Sequence, residues 1–136
     1  MLESQNEVTL ARLRSLCLSL PETSETASWG HPNFKAGKKT FVAFERVKGR
    51  ASIAFRLEPD HVERLLQRKR FFATPYGRGL WASLWVDGPI DWRAVQDLVN
   101  RSYRVVALKR MLTAIEGTSG RKTKGNPSKR RAAKKR

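Results

Sequence analysis

The sequence predicts an α+β domain, a two-layer sandwich in which helices pack on one face of a mainly antiparallel sheet. Three observations predict it. Apolar residues recur at helical spacing near both ends of residues 1–116. Between them lie short runs of β-branched and aromatic residues separated by turn residues. A further helical segment interrupts those runs, so the order reads α, several β, α, β, α.

Ser4-Gln5-Asn6-Glu7 has the form of a capping box and predicts a helix start at Ser4. Leu13, Leu16, Cys17 and Leu20 then follow at i, i+3, i+4, i+7. Cys17 falls inside that stripe with no histidine or CxxC partner nearby, and reads as a small buried hydrophobe. Leu20-Pro21 ends the helix, because the residue before proline disfavours the α conformation. Pro32 and Ala36-Gly37-Lys38 punctuate an early pair of short strands. Thr40–Phe44 is rich in β-formers, and Ala51, Ile53, Phe55 and Leu57 alternate with Ser52, Ala54 and Arg56, giving one apolar face. Val47-Lys48-Gly49-Arg50 reads as the hairpin turn between them.

Glu58-Pro59-Asp60 opens a second helix, with Val62, Leu65 and Leu66 on its buried side and Arg68, Lys69 and Arg70 closing it. A loop with Pro75, Gly77 and Gly79 leads to a strand over Leu80–Val86. Trp81 and Trp85 share one face of that strand with Ser83, and Leu80, Ala82, Leu84 and Val86 hold the core face. The two tryptophans therefore lie on the sheet face away from the helices, packed or exposed as a binding surface. Asp91 caps a long third helix with the stripe Val95, Leu98, Val99, Ser102, Tyr103 and Val106. From Gly117 the periodicity stops, so the expected organisation is a domain over 1–116 and a disordered basic tail over 117–136.

The formal net charge is +16, from 28 Lys plus Arg against 12 Asp plus Glu. Residues 117–136 hold nine basic residues and no acid, so the 19 basic and 12 acidic residues of 1–116 leave the domain itself at +7. A field of this sign attracts polyanions, nucleic acid before anionic membranes. No membrane partner is expected, because the tail lacks an apolar anchor and no run approaches the roughly 18–20 apolar residues of a span. A single cysteine forms no intramolecular disulfide, and the polar start with Glu3 and Glu7 is unlike a signal peptide. Both suit the cytoplasm, with a nucleoid association if DNA is bound.

No catalytic site, metal or cofactor is expected. His31 and His61 stand far apart in sequence, and no Cys or His spacing resembles a zinc site. Gly77-Arg78-Gly79 lacks the pattern of a phosphate-binding loop. The candidate contacts are basic instead. Lys35, Lys38, Lys39, Lys48 and Arg50 lie on or near strand turns, which could act as wings on a phosphate backbone. The third helix presents Arg101 and Arg104 at i, i+3, followed by Lys109 and Arg110. Lys129, Arg130, Arg131, Lys134, Lys135 and Arg136 form the tail's cationic block, an interaction arm or a bare solubility tail.

The chain resembles the MmcQ/YjbR family of small, mostly bacterial proteins over about Leu13 to Met111. The resemblance rests on Leu20-Pro21-Glu22, Glu25, Ser28-Trp29-Gly30-His31-Pro32-Asn33-Phe34-Lys35 and Gly37-Lys38-Lys39. It continues in Phe71-Phe72-Ala73-Thr74-Pro75-Tyr76, Gly79, Trp81 and Ser102-Tyr103-Arg104 through Ala107-Leu108-Lys109-Arg110. Related sequences often carry a histidine around Thr74-Pro75-Tyr76, and this chain has none there. The resemblance implies an α-β(3)-α-β(2)-α sandwich, similar to secretion-chaperone-like and double-wing DNA-binding folds, and a DNA-binding label that rests on fold analogy. It brings no catalytic residues.

The expectation is a non-enzymatic, sequence-tolerant DNA-binding protein, with RNA as another possible polyanion. The alternative is a protein-interaction module, chaperone-like or homodimeric, with a generic polyanion-binding tail.

Overall fold

The computed structural model describes residues 2–28 and 30–123. Its elements run α1 (Leu2–Leu18), β1 (Thr23–Ser28), β2 (His31–Ala36), β3 (Lys39–Val47), β4 (Arg50–Arg56), α2 (Pro59–Leu65), β5 (Phe71–Ala73), β6 (Trp81–Trp85), α3 (Trp92–Val106) and α4 (Lys109–Thr123). One six-stranded sheet has the order β1-β2-β3-β4-β6-β5, and every neighbouring pair is antiparallel.

The helices share one face of that sheet. α1 packs on β1 and β2, α3 on β3 and β4, and α2 on β5 and β6. Their apolar stripes meet the sheet in one core containing Leu13, Cys17, Phe34, Phe41, Ile53, Phe55, Val62, Leu65, Val95, Val99, Tyr103 and Met111. Burying these apolar surfaces is the main driving force holding the layers together. Phe41 and Tyr103 meet edge-to-face with centroids 5.6 Å apart, and the Tyr103 hydroxyl donates to the Pro21 carbonyl at 2.7 Å. That bond ties α3 to the corner between α1 and β1.

The α+β architecture matches the expectation, and several boundaries differ. Four strands precede α2 where the resemblance implies three, and a fourth helix follows α3. α1 begins at Leu2, two residues ahead of the capping box at Ser4. α2 stops at Leu65, so Arg68, Lys69 and Arg70 lie beyond its end. Leu66 closes it, and Arg70 is in the left-handed region at φ 78°. α3 ends at Val106 and Ala107 turns extended (ψ 147°), so Lys109 opens α4 instead of continuing α3. The β-branched pair Val105-Val106 weakens the helix there, and the break lets Met111 of α4 reach the core. Helix continues to Thr123, past Gly117, because α4 is anchored by Met111, Leu112 and Ile115 and propagates more easily than it nucleates.

A cap, a helix start and a turn form as the residues dictate. The Asp91 carboxylate accepts from the Arg93 and Ala94 backbone N–H groups at 3.2 and 3.3 Å. Pro59 opens α2. Lys48 and Gly49 both take positive φ (53° and 76°), the geometry of a two-residue hairpin turn.

β3 carries a bulge. Asn33 lies opposite Ala43 and Phe34 opposite Val42, but Lys35 is opposite Thr40, so Phe41 has no partner on β2. Phe41 and Val42 are both fully buried. The expectation of a single apolar face on β4 is too narrow, since Ser52 and Ala54 are as buried as Ile53 and Phe55. β4 is central in the sheet, and its second face is covered as well.

Candidate nucleic-acid interface

The expected basic residues fall into separate groups. Lys35, Lys38 and Lys39 gather at the β2–β3 turn, one end of the sheet. Lys38, Lys39 and Arg110 line an apolar hollow of about 500 Å³ together with Gly37, Val106 and Leu108. Lys48 and Arg50 lie at the other end, because nine-residue β3 separates the two turns by about 26 Å at roughly 3.3 Å per residue. The two charged turns therefore stand at opposite ends of β3. Arg101 and Arg104 are both exposed on α3. The tail cations Lys129, Arg130, Arg131, Lys134, Lys135 and Arg136 lie outside the described residues, as does Trp29.

Two of these cations are already committed. Arg50 donates to the Asp87 carboxylate (2.6 and 3.2 Å) and lies 3.9 Å over the Trp85 ring. Arg70 also approaches Asp87, at 3.5 Å. Arg110 makes a bidentate pair with Glu22 (2.9 and 2.7 Å). These guanidiniums hold the Asp87 and Glu22 carboxyls below the usual carboxylate range, chiefly by hydrogen bonding. Lys35, Lys38, Lys39, Lys48, Arg101, Arg104 and Lys109 have no ion pair among the described residues.

A shallow groove between α2 and α3 is lined by His61, Arg68, Asp97 and Arg101. Burial, then the charges of Arg101 and Arg64, push the His61 imidazole below its ordinary pKa. His61 therefore adds little positive charge at neutral pH.

The sheet face away from the helices holds a feature the sequence did not announce. Asn33, Ala43, Ala54 and Ser83 sit directly opposite one another across β2, β3, β4 and β6. These short side chains leave a cleft of about 270 Å³, lined by Asn33, Thr40, Ala43, Glu45 and Ala54, with Trp81 and the 74–77 loop as its wall. The loop is held by a 2.7 Å hydrogen bond between the Thr74 and Ser83 hydroxyls. Gly77 comes so close to Trp81 that a Cβ there would stand 2.9 Å from the Trp81 Cβ. Tyr76 is 100 % exposed at φ 61°, followed by Arg78 at φ 56°. Non-glycine residues in that region cost about 1–2 kcal/mol each and concentrate at functional segments.

Glu45 is the acid of this face. Its side chain is 23 % exposed, and the His31 imidazole stands beside it with Nε2 at 4.0 Å. Burial pushes the Glu45 carboxyl up, opposed by His31. Three buried polar atoms on the same face, Thr26 Oγ1, His31 Nδ1 and Ser52 Oγ, have no hydrogen-bond partner among the described residues. The Trp81/Trp85 placement agrees with the sequence, and the two rings differ in role. Trp85 is stacked on Phe72 (4.0 Å) under Arg50, while Trp81 borders the cleft. Among the described residues no cluster of three or more His, Cys, Asp or Glu could hold a metal, and no helix is long and apolar enough to cross a membrane.

A six-stranded antiparallel sheet with helices on one face and a partly polar cleft on the other defines the class of molecule. The chain belongs to the YjbR family, whose model matches residues 18–105, more than half of it. Two solved structures share the fold. One is the Deinococcus radiodurans protein DR2400, described with the domain DUF419, at TM-score 0.64 and 20 % identity over 88 % of this chain and 95 % of that one. The other is a Pseudomonas syringae structural-genomics target, at TM-score 0.61 and 12 % identity over 70 % of this chain and 96 % of that one. At these identities the likeness is one of fold alone. The search of curated proteins finds no match.

Proposed function

We propose that this chain is a non-enzymatic DNA-binding protein whose affinity is largely electrostatic and tolerant of sequence. The observation that carries the reading is the group of unneutralised cations, Lys35, Lys38 and Lys39, at one end of the sheet in a domain of net charge +7. Arg14, Arg50, Arg70 and Arg110 pair with Glu25, Asp87 and Glu22, and among the described residues no acid is paired with these three lysines. Phosphate contacts from lysines position a strand without reading its bases. Arg101 and Arg104 on α3 and the cationic tail extend the same field. A cytoplasmic, nucleoid-associated location follows from this reading.

The test is fluorescence-anisotropy titration of DNA over a salt series with the full chain. Each phosphate contact contributes a slope of about −0.9 in log K against log salt on duplex and about −0.7 on single strands. Lys38→Ala/Lys39→Ala is expected to make the slope shallower by one to two contacts. An unchanged slope would remove the turn from the interface. A chain ending at Thr123 measures the tail's share in the same assay. Loss of all binding in that truncated chain, with the turn variant silent, would leave the domain's own role to a protein partner.

A further inference from the structure

The cleft on the sheet face away from the helices has no part in the electrostatic reading above, and its lining has its own chemistry. Its acceptors are the Glu45 carboxylate and the Asn33 carbonyl oxygen, with the Thr40 and Thr74 hydroxyls, which can donate or accept, beside them. One of the two Asn33 amide N–H groups donates to the His31 carbonyl (3.3 Å), which leaves Oδ1 as an acceptor for a ligand beside the second N–H. Flat aromatic surface stands beside these acceptors, with Trp81 as wall and Tyr76 held fully in solvent at the rim. The floor is alanine, Ala43 and Ala54, so a ring meets no bulky side chain there.

This lining disfavours a phosphate, because Glu45 would repel it. It favours a flat ring that carries N–H donors on its edge and π-surface on its face. The cations stand just outside. Lys35 is two residues from Asn33 along β2 on the same face, about 7 Å away, and lies opposite Thr40. Lys38 and Lys39 follow at the same end of the sheet.

We infer that the cleft receives an unpaired nucleobase, stacked against Trp81 and Tyr76 with its amino edge on Glu45 and Asn33, while Lys35 and its neighbours hold the adjoining phosphates. The inference rests on the nucleic-acid reading and narrows it to strands with accessible bases. A base inside a duplex has both faces stacked and cannot enter. The arrangement is a stacking platform beside a cationic track, the pattern by which single strands are bound.

The experiment compares two labelled single strands of equal length and charge, one with bases and one of abasic residues, binding the full chain at matched salt. Stacking one or two bases is expected to make the base-bearing strand bind at least about tenfold more tightly. Tyr76→Ala should bring the ratio toward one. Its ring is fully exposed, so its removal leaves no core cavity. Glu45→Gln, which retains an acceptor but also offers donors, should reduce the ratio partly and change which base is preferred. Equal affinity for both strands, with normal salt dependence, overturns the cleft as a base site and leaves the electrostatic reading standing. No salt-dependent binding of either strand defeats the nucleic-acid reading and this inference with it. Free nucleosides, followed by shifts of the Trp81 indole N–H resonance, form the third arm. Saturation by a nucleoside as tight as by the base-bearing strand overturns the strand as the source of the base.

Discussion

Replacing Tyr103 with Phe isolates one hydrogen bond that joins two layers of the fold. The ring stays, so its edge-to-face contact with Phe41 at 5.6 Å and its filling of the core are retained. What is lost is the hydroxyl donated to the Pro21 carbonyl at 2.7 Å. A neutral intramolecular hydrogen bond contributes about 0.5–1.5 kcal/mol net, and leaving the carbonyl without a partner adds to the loss unless water reaches it. Tyr103 is 0 % exposed, whereas Pro21 lies nearer the surface, so partial rehydration holds the expected cost to about 1–2 kcal/mol. Truncating a whole buried aromatic ring would cost about 3–5 kcal/mol. Equilibrium urea unfolding reads the difference. With a slope of about 2 kcal/mol per molar for a small domain, the midpoint should fall by about 0.5–1 M at unchanged slope. A midpoint within about 0.1 M of wild type would refute the claim that this bond fastens α3 to the α1–β1 corner. A changed slope would show that the variant altered the unfolded ensemble instead.

Asp91→Ala should destabilise by about 1 kcal/mol, because two backbone N–H groups of α3 lose their acceptor; a thermal melt that does not move would count against the cap. Cys17 is fully buried and its thiol is pushed well above its ordinary pKa by burial, so it should react with a thiol-specific disulfide reagent only after urea unfolding; stoichiometric reaction of the native protein within minutes would contradict that burial. Glu22, Glu25 and Asp87 have carboxyls held low by hydrogen bonds from Arg110, Arg14 and Arg50. Their contribution is present above the ordinary carboxylate range and lost as pH falls through the lowered native values. Glu45 has the opposite sign: in the window between the ordinary value and its raised native value the folded state binds more protons, so stability declines as pH rises there. Urea midpoints at pH 7, 5 and 3 should therefore show Glu45→Gln gaining at pH 7 relative to wild type, and Asp87→Asn losing at pH 7 with the gap closing at pH 3.

The fold was legible where one side chain dictates local geometry. Asp91, Pro59 and Gly49 each announce a cap, a helix start or a tight turn through chemistry within a few residues. The stripes Leu13/Cys17 and Val95/Leu98/Val99/Ser102/Tyr103 gave the core faces of α1 and α3 directly. The break at Ala107 was not legible, because no proline or glycine marks it and its reason lies in where Met111 must reach. The early strand pair was legible, but where β1 begins was obscured by its polar composition, Thr-Ser-Glu-Thr-Ala-Ser, which an edge strand tolerates and a hydrophobic pattern does not reveal. The cleft was missed for a similar reason. Its floor is made of Ala43, Ala54 and Ser83, residues that signal nothing singly and become a site only when sheet register aligns them. Of the basic residues, sequence gave the identities but not the partners. Only the folded arrangement separates Arg50 and Arg110, spent on Asp87 and Glu22, from Lys38 and Lys39.

The bulge at Phe41 makes β3 two strands in phase terms. Thr40 faces the cleft together with Ala43 and Glu45, a spacing of three and then two, because the extra residue rotates the chain by half a pleat. Everything before Phe41 is thus clocked separately from everything after it. A change in the length or sequence of the Gly37-Lys38 turn is absorbed at the bulge and need not turn Ala43 and Glu45 away from the cleft. Deleting Phe41 would join the two halves into one uninterrupted strand and force a choice, either Thr40 leaving the cleft or Glu45 rotating into the apolar layer. The cationic turn can accordingly change in charge and shape while the cleft keeps its lining, two surfaces of one strand uncoupled at the bulge.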